Sequence, residues 1–466
     1  MRRHEGAVLH PVVWGVLFLP FGATAGYVSV TLAFVGRQRG LSDGAIAGLV
    51  ATSTLPQVWK FFWAPIADTT WKRRSWHFFA NLVSSITLIA VGLAPLGPGS
   101  IGLLKALILV NGLAVSFLGM ATEGLLAHTT TPEQRGRASG WFQAGNLGGV
   151  GIGGGLALAL ATRIGMAGAA VAVGVGLLCC SLPLLRIGEP VREHRGSAAR
   201  AVSEVGRDLW RTVFASRTGI LALILCFLPV GAAAASNLFA AIADRWGTSS
   251  DTVAVLTGLI AGVVSAVGCL AGGWLSDAMD RKVAYAVTGF GLAAVAVGMW
   301  AAPRTPVAFG AFTLLYNFGS GVAFGAFTGF ALEVIGKGAA ATKYNALASL
   351  SNLPIYYMIL VDGWAADRWG AGGMLLVDAA TELAGAVAFL ALAVVLVGWR
   401  PGSPSGPRSR RSPKVPAGDD RGGRAERSPK RQVEAEPGPR PMRSLPDVWG
   451  GARKRRLSCG ARILRI

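Results

Sequence analysis

Four carboxylates of this chain lie within or near the ends of long apolar runs, where a charged side chain is costly. Asp378 and Glu382 are four residues apart, so a helix places both on one face. Glu123 and Glu333 lie near the ends of two other runs. Because burial favours the neutral form of a carboxyl, we predict that these four residues bind and release protons. A structural alternative stays open for Glu123 and Glu333, namely ion pairs with basic residues further along the chain, Arg137 and Lys343.

Lys60 is a cation inside an apolar run, eight residues before Asp68 and therefore about 12 Å deeper along a helix. It is a candidate for binding an anionic group in a central cavity. The alternative is a lysine whose long stem lies along apolar surface while its ammonium group reaches the membrane boundary.

Two clusters combine an acid with basic residues four and five positions later: Asp68 with Lys72 and Arg73, and Asp277 with Arg281 and Lys282. We predict that these clusters, with Arg137 and Lys343, form a gate through ion pairs that break and reform. Anchoring by the basic residues alone is the alternative, although it requires no acid.

Other chemistry finds little support. The five cysteines show no metal-ligand spacing, and the five histidines lie in loops or at the ends of apolar runs. No Gly-Lys-Ser/Thr phosphate loop is present, so we expect no metal, no cofactor and no ATP-driven step. An enzyme is disfavoured because no catalytic pairing is apparent.

The elements that position these residues follow from composition. Hydrophobic residues make up 52% of the 466 residues and charged residues only 15%, which predicts a membrane protein. Apolar runs long enough to cross a bilayer predict an all-α membrane protein with twelve transmembrane helices. The predicted spans are 11–35, 44–67, 77–95, 102–127, 138–161, 165–187, 217–242, 251–275, 283–302, 306–334, 344–365 and 373–399.

Basic residues are distributed unevenly between the two sides. With the N-terminus inside, 18 basic residues fall in or next to inner loops and 6 in outer loops. We therefore expect both termini to be cytoplasmic in a multi-pass protein of the bacterial inner membrane.

The chain also repeats itself at an offset near 209 residues. Leu19-Pro-Phe-Gly22 recurs as Leu228-Pro-Val-Gly231, and Asp68 and Glu123 recur as Asp277 and Glu333. An even number of spans in each repeat predicts two parallel six-helix halves, residues 1–187 and 217–399.

Two further segments complete the predicted organisation. Residues 188–216 are expected to contain an amphipathic helix on the cytoplasmic membrane surface. Residues 400–466 contain 18 basic and 6 acidic residues with abundant Pro, Gly and Ser, which predicts a disordered tail. Anionic lipids at the cytoplasmic face are the expected partner. We expect no nucleic acid partner, and we expect the protein to be a monomer.

The motifs that follow spans 2 and 8, Ala64-Pro-Ile-Ala-Asp68-Thr-Thr-Trp-Lys72 and Gly273-Trp-Leu-Ser-Asp277-Ala-Met-Asp-Arg281, resemble those of the major facilitator superfamily. The stretch Leu55-Pro-Gln-Val-Trp-Lys60-Phe-Phe-Trp-Ala-Pro65 is similar to the span-2 signature of its AmpG-type muropeptide permease and acetyl-coenzyme-A transporter family. The resemblance implies alternating access and a cavity lined by spans 7 and 10. Asn237 and Tyr316 are then candidate contacts for the solute.

Together these observations predict a secondary transporter that moves a polar or anionic small molecule, muropeptide-like or coenzyme-A-like, with protons. One alternative is a drug or metabolite exporter of the same fold. Another is a membrane sensor that binds a solute without moving it.

Overall fold

The computed structural model describes residues 10–129, 135–188, 217–335 and 346–398, together with residues 203, 207 and 210. The remainder of the predicted linker and the predicted tail lie outside the described residues. Twelve helical segments of the described chain follow the order of the predicted spans, which confirms the all-helical fold class. They are α1 (Val12–Gln38), α2 (Asp43–Val58 and Lys60–Thr69), α3 (Arg73–Leu93), α4 (Ile101–Thr129), α5 (Arg135–Val150, Gly151–Leu156 and Ala157–Cys179 up to Gly165), α6 (Ala157–Cys179 beyond Gly165), α7 (Arg217–Leu225, Ala234–Leu238, Phe239–Ile242 and Ala243–Trp246), α8 (Ser250–Ala278), α9 (Arg281–Ala301), α10 (Pro306–Ile335), α11 (Asn352–Val397 up to Gly370) and α12 (Asn352–Val397 beyond Gly370).

Two glycines divide the longest helical stretches into separate crossings. Gly165 (φ 79°) separates α5 from α6, and Gly370 (φ 70°) separates α11 from α12. A positive φ costs glycine little, whereas residues with a Cβ adopt it rarely. Both turns fall within a few residues of the predicted boundaries between spans.

Within the described ranges, eight helical stretches are long and apolar enough to cross a membrane, and the two divided by these glycines are each long enough for two crossings. The other two predicted spans, α2 and α7, are interrupted. In α2 the helix stops at Val58 and begins again at Lys60.

The prediction of one continuous helix over residues 217–242 is wrong. The helix ends at Leu225, residues 226–233 are not helical, and 3₁₀ structure begins at Ala234. Proline at 229 lacks an N–H and blocks the preceding helical turn, and Gly231 (φ 68°) and Ala233 (φ 48°) have left-handed backbone conformations.

Small residues bring the N-terminal helices α1–α6 against the C-terminal helices α7–α12 at two places. Gly363 of α11 lies against Gly44 and Ala47 of α2, and Gly155 of α5 lies against Gly258 of α8. The second contact joins two π-helical turns, Gly151–Leu156 and Ala254–Ile260. Small side chains at such crossings let helix backbones approach closely in a membrane, where van der Waals packing drives helix association.

The same kind of contact joins α1 to α5. A Cβ on Gly145 would overlap the backbone of Gly15, and a Cβ on Gly22 would overlap the carbonyl of Asn146. Gly148, one turn beyond Gly145 on α5, has no atom within 4 Å of the position that its Cβ would take.

This difference predicts a matched pair of stability effects. Gly145→Ala forces two backbones apart and should lower the free energy of unfolding by about 1–3 kcal/mol. Gly148→Ala should leave stability unchanged or raise it slightly, since alanine favours a helix. Thermal unfolding of both purified variants in detergent measures the effect, and equal behaviour of the two would contradict the packing.

Candidate functional site

A cavity of about 580 Å³ lies between the N-terminal and C-terminal helices. This volume is within the usual range of small-molecule sites, about 300–1,000 Å³. Polar side chains from seven helices line it together with aromatic rings: Thr24, Ser53, Thr54, Gln57, Asn111, Gln143, Asn146, Ser236, Asn237, Ser320, Ser351 and Asn352, with Phe18, Phe21, Phe142, Tyr285, Phe324 and Phe327. The lining suits a solute with both polar and apolar parts.

Lys60 and Glu123 are the charged residues of the described cavity wall, and they form a pair. Lys60 begins the second piece of α2, and its Nζ lies 3.8 Å from Oε1 of Glu123 on α4. Their side chains are 19% and 35% exposed, so both are accessible to a solute in the cavity. From the sequence, Arg137 was the candidate partner of Glu123 and an anionic group of the solute that of Lys60, so this pairing was not predicted.

Of the three predicted solute contacts, Lys60 and Asn237 lie in the cavity wall and Tyr316 does not. Asn237 lines the cavity and donates a hydrogen bond from Nδ2 to the carbonyl of Ala234, at 3.2 Å. Tyr316 is fully buried, and its hydroxyl donates to Oδ2 of Asp378 at 2.7 Å.

Asp378 and Glu382, the predicted proton-coupling pair, are buried behind the cavity wall. Glu382 accepts hydrogen bonds from the backbone N–H groups of Gly231 (2.6 Å) and Ala233 (3.0 Å), which both line the cavity. A third acid, Asp362 of α11, is also fully buried and interacts electrostatically with both. We call Asp362, Asp378 and Glu382 the acid cluster.

The predicted gate on the side of the basic loops is only partly described. Asp68, Arg137 and Glu333 lie in helices, but their side chains are outside the described atoms, and Lys343 is outside the described residues altogether. The cations of the first cluster lie at the start of α3, where Lys72 is exposed and Arg73 packs over Gly124. Those of the second lie at the start of α9, where Arg281 is half-buried and Lys282 is buried. Asp277 is exposed, and within the described part of the chain no ion pair joins it to another helix.

Ion pairs instead close the opposite side, which is predicted to be the outer one. Asp43 at the start of α2 is buried and pairs with Arg245 of α7 and with Arg37 of α1, the latter at 3.7 Å. Nε of Arg37 also lies 3.4 Å from Oδ2 of Asp244. The hydroxyl of Ser42 donates a hydrogen bond to Oδ2 of Asp367, on α11, at 3.0 Å. These residues are called the outer network below.

Sequence reasoning counted Arg37 and Arg245 only as charges of outer loops. The available signal was the alternation of acids and arginines in those loops, Asp244-Arg245 and Asp367-Arg368 beside Arg37 and Asp43. Pairing across about 200 residues of sequence, however, requires knowledge of how the helices pack.

Comparisons with known proteins agree with this architecture. The family model of the Major Facilitator Superfamily matches residues 13–355. A search of curated proteins found no match. Among solved structures, a bacterial homolog of the human lysosomal transporter Spinster, in an inward-facing and unoccupied conformation, is 15% identical, with a TM-score of 0.65 over 84% of this chain and 98% of that one.

Two other solved structures are similar to the chain at comparable distance. The nucleoside transporter NupG is 13% identical, with a TM-score of 0.62 over 82% of this chain and 98% of that one. A D-xylose-proton symporter is 15% identical, with a TM-score of 0.61 over 81% and 95%. At these identities the likeness shows the fold, whereas the family match covers most of the chain, and the chain therefore belongs to the Major Facilitator Superfamily of membrane transporters.

Proposed function

We propose that the chain is a proton-coupled transporter that moves a polar solute with an anionic group across the bacterial inner membrane, with both termini cytoplasmic. The observation that carries this proposal is the pair of Lys60 and Glu123 in the cavity wall. The sequence similarity of the Lys60 stretch favours a muropeptide-like or coenzyme-A-like solute.

The pair supplies a simple coupling rule. An anionic group of the solute competes with the Glu123 carboxylate for the Lys60 ammonium. When Glu123 takes up a proton, it loses its charge and its attraction to Lys60, which is then free to bind the solute. Proton and anion thus bind together and leave together, as symport requires.

The outer network supplies one of the two closures that alternating access needs. In the described conformation its ion pairs join α1 and α2 to α7, and a hydrogen bond joins α2 to α11, on the predicted outer side. For the outer side to open, these contacts must break. The predicted clusters around Asp68 and Asp277 would form the corresponding closure on the cytoplasmic side.

The coupling rule predicts different defects for the two partners. Lys60→Gln should abolish uptake and exchange of the solute because the anion loses its cation. Glu123→Gln should retain exchange of solute down its gradient but lose accumulation driven by a pH difference. Muropeptides, coenzyme-A thioesters and lipophilic cations, tested as separate probes with purified protein in liposomes, would measure both activities.

A matched control for this experiment is Lys105→Gln, which removes an exposed intramembrane lysine that does not line the cavity. It should transport like the wild type. Accumulation by Glu123→Gln under an imposed pH difference would exclude Glu123 as the coupling residue. Uptake of lipophilic cations alone would favour an exporter, and binding without uptake would indicate a sensor.

The outer network predicts a shift in conformation. Asp43→Asn removes the buried anion that Arg245 and Arg37 share, so the outer side should open in a larger fraction of molecules. Spin labels at Arg39→Cys and Asp251→Cys, both exposed positions, report the distance across this side in a background without native cysteines. The distance distribution should move to longer values, and the exchanged pair Asp43→Arg with Arg245→Asp should restore part of the shorter distances. An unchanged distribution in Asp43→Asn would show that the outer network does not hold this side closed.

A further inference from the structure

The non-helical part of α7, residues 226–233, is unusual because it lies at membrane depth. We call it the broken segment. In a bilayer interior no water satisfies free backbone groups, so irregular backbone is tolerated only where protein surrounds it or where it lines a cavity. Here one side lines the cavity with residues 230–233, and the other side faces α9, α11 and α12.

Side chains of these neighbouring helices satisfy backbone groups of the broken segment. The hydroxyl of Tyr357 donates to the carbonyl of Phe227 at 2.8 Å, and the hydroxyl of Tyr285 donates to the carbonyl of Val230 at 2.6 Å. The Glu382 carboxylate accepts a hydrogen bond from the N–H of Gly231 at 2.6 Å and, two residues further along, another from the N–H of Ala233 at 3.0 Å.

The left-handed conformations at Gly231 and Ala233 turn successive N–H groups toward one side, which forms a concave backbone site for an anion. Glu382 fills this site, and the two N–H donors offset part of the cost of burying its carboxyl group. Asp378 likewise accepts a hydrogen bond from Tyr316.

Asp362 differs from the other two acids. Its side chain is fully buried, and neither carboxylate oxygen has a hydrogen-bond partner. An ionised carboxylate in such a place is far more costly than a neutral one, and the nearby charges of Asp378 and Glu382 add to that cost. Of the three acids, Asp362 is therefore the one whose surroundings support a charged carboxylate least.

No cation offsets the three acids in the described part of the chain. The titratable groups that face them are Tyr285 of α9, Tyr316 of α10 and Tyr357 of α11, all neutral at physiological pH, with Cys226 of α7 beside Tyr285. Neutralisation by a proton is thus the means available to these residues for lowering the charge of the cluster.

The N-terminal helices provide an internal comparison. Counted from the turn glycines Gly165 and Gly370, the positions equivalent to the three acids are Ala157, Val173 and Leu177, all buried and apolar. The related stretch from Leu19 to Gly22 in α1 remains helical although it also contains a proline, Pro20. The break in the helix and the acids occur together, in one half of the chain.

We propose that the acid cluster is a proton-binding site that controls the broken segment: Asp362 holds one proton in the described conformation, and a second proton taken up by Glu382 releases Gly231 and Ala233. Once its negative charge is neutralised, Glu382 accepts hydrogen bonds from these two N–H groups more weakly, and the cavity wall formed by residues 230–233 is then free to change shape. The consequence for transport rests on the proposed function, whereas the proton site itself does not.

The first test uses full-length protein in lipid nanodiscs with no solute. Infrared spectroscopy of the wild type at neutral pH should show the carbonyl band of a protonated carboxyl without hydrogen bonds. The band should shift when the protein is produced with isotopically labelled aspartate, and it should vanish in Asp362→Asn. Asp251→Asn, which removes an exposed acid at the start of α8, is the matched control and should keep the band.

The second test concerns Glu382. Glu382→Gln imitates the neutral side chain, so amide hydrogen exchange at Gly231 and Ala233 should become about 10- to 100-fold faster at a fixed pH, the factor expected for losing hydrogen bonds to a charged group. Exchange in α3, distant from the cluster, should not change.

Each outcome decides part of the proposal. A band that appears in the wild type only after sodium is removed would identify a metal-cation site and overturn the assignment of a proton. A band insensitive to aspartate labelling would exclude Asp362, even if the Asp362→Asn variant failed to fold. Unchanged exchange at Gly231 and Ala233 in Glu382→Gln would remove the link to the broken segment. None of these measurements involves a solute, so they can fail while the role of Lys60 and Glu123 stands, and the reverse also holds.

Discussion

The requirement that every backbone polar group find a partner inside the membrane determines most of this structure. Helices meet it internally, and the twelve segments follow from that requirement and from the length of the apolar runs. The requirement also explains how α7 can be interrupted inside the membrane. Where Pro229 and two left-handed residues interrupt α7, side chains of three other helices replace the missing helical bonds. One of these is a carboxylate, which brings a titratable group into contact with the cavity wall.

The sequence was sufficient for features that depend on local pattern. Apolar runs predicted the order of the segments, and Gly165 and Gly370 lie close to the predicted ends of spans. The acids Glu123, Asp378 and Glu382 were recognised because a charge in an apolar run is conspicuous without knowledge of its surroundings. Asp362 has the same signal, since it follows the apolar stretch from Ile355 to Val361. It has no second acid at helical spacing, unlike Asp378, and no acidic counterpart in the other repeat, unlike Glu123.

The sequence was insufficient for features that depend on packing between distant helices. The contact of Lys60 with Glu123 and that of Asp43 with Arg245 join residues separated by 63 and 202 positions. Small residues decide which helices meet: Gly44 and Gly363 let α2 approach α11 closely enough for Ser42 to reach Asp367. The break in α7 was missed for a related reason. The same Leu-Pro-x-Gly pattern is helical in α1 and broken in α7, so the pattern alone does not determine the outcome. The two sites differ in their neighbours, because an acid and two tyrosines form hydrogen bonds with the backbone of the segment in α7.

These separate features meet on one helix. The part of α7 that follows the broken segment runs through Ala234–Leu238, Phe239–Ile242 and Ala243–Trp246 without a further interruption, from the cavity wall at Asn237 to Arg245 of the outer network. A change in backbone conformation at residues 226–233 would reorient this whole piece relative to the helix that precedes Cys226. Because Arg245 contacts Asp43 at the far end of the same piece, a reorientation at its base would displace that ion pair. Such a movement would link the acid cluster to the outer network without a separate signal. The physical basis of such coupling is a short rigid element between a deformable backbone segment and a set of breakable ion pairs, both of which respond to charge.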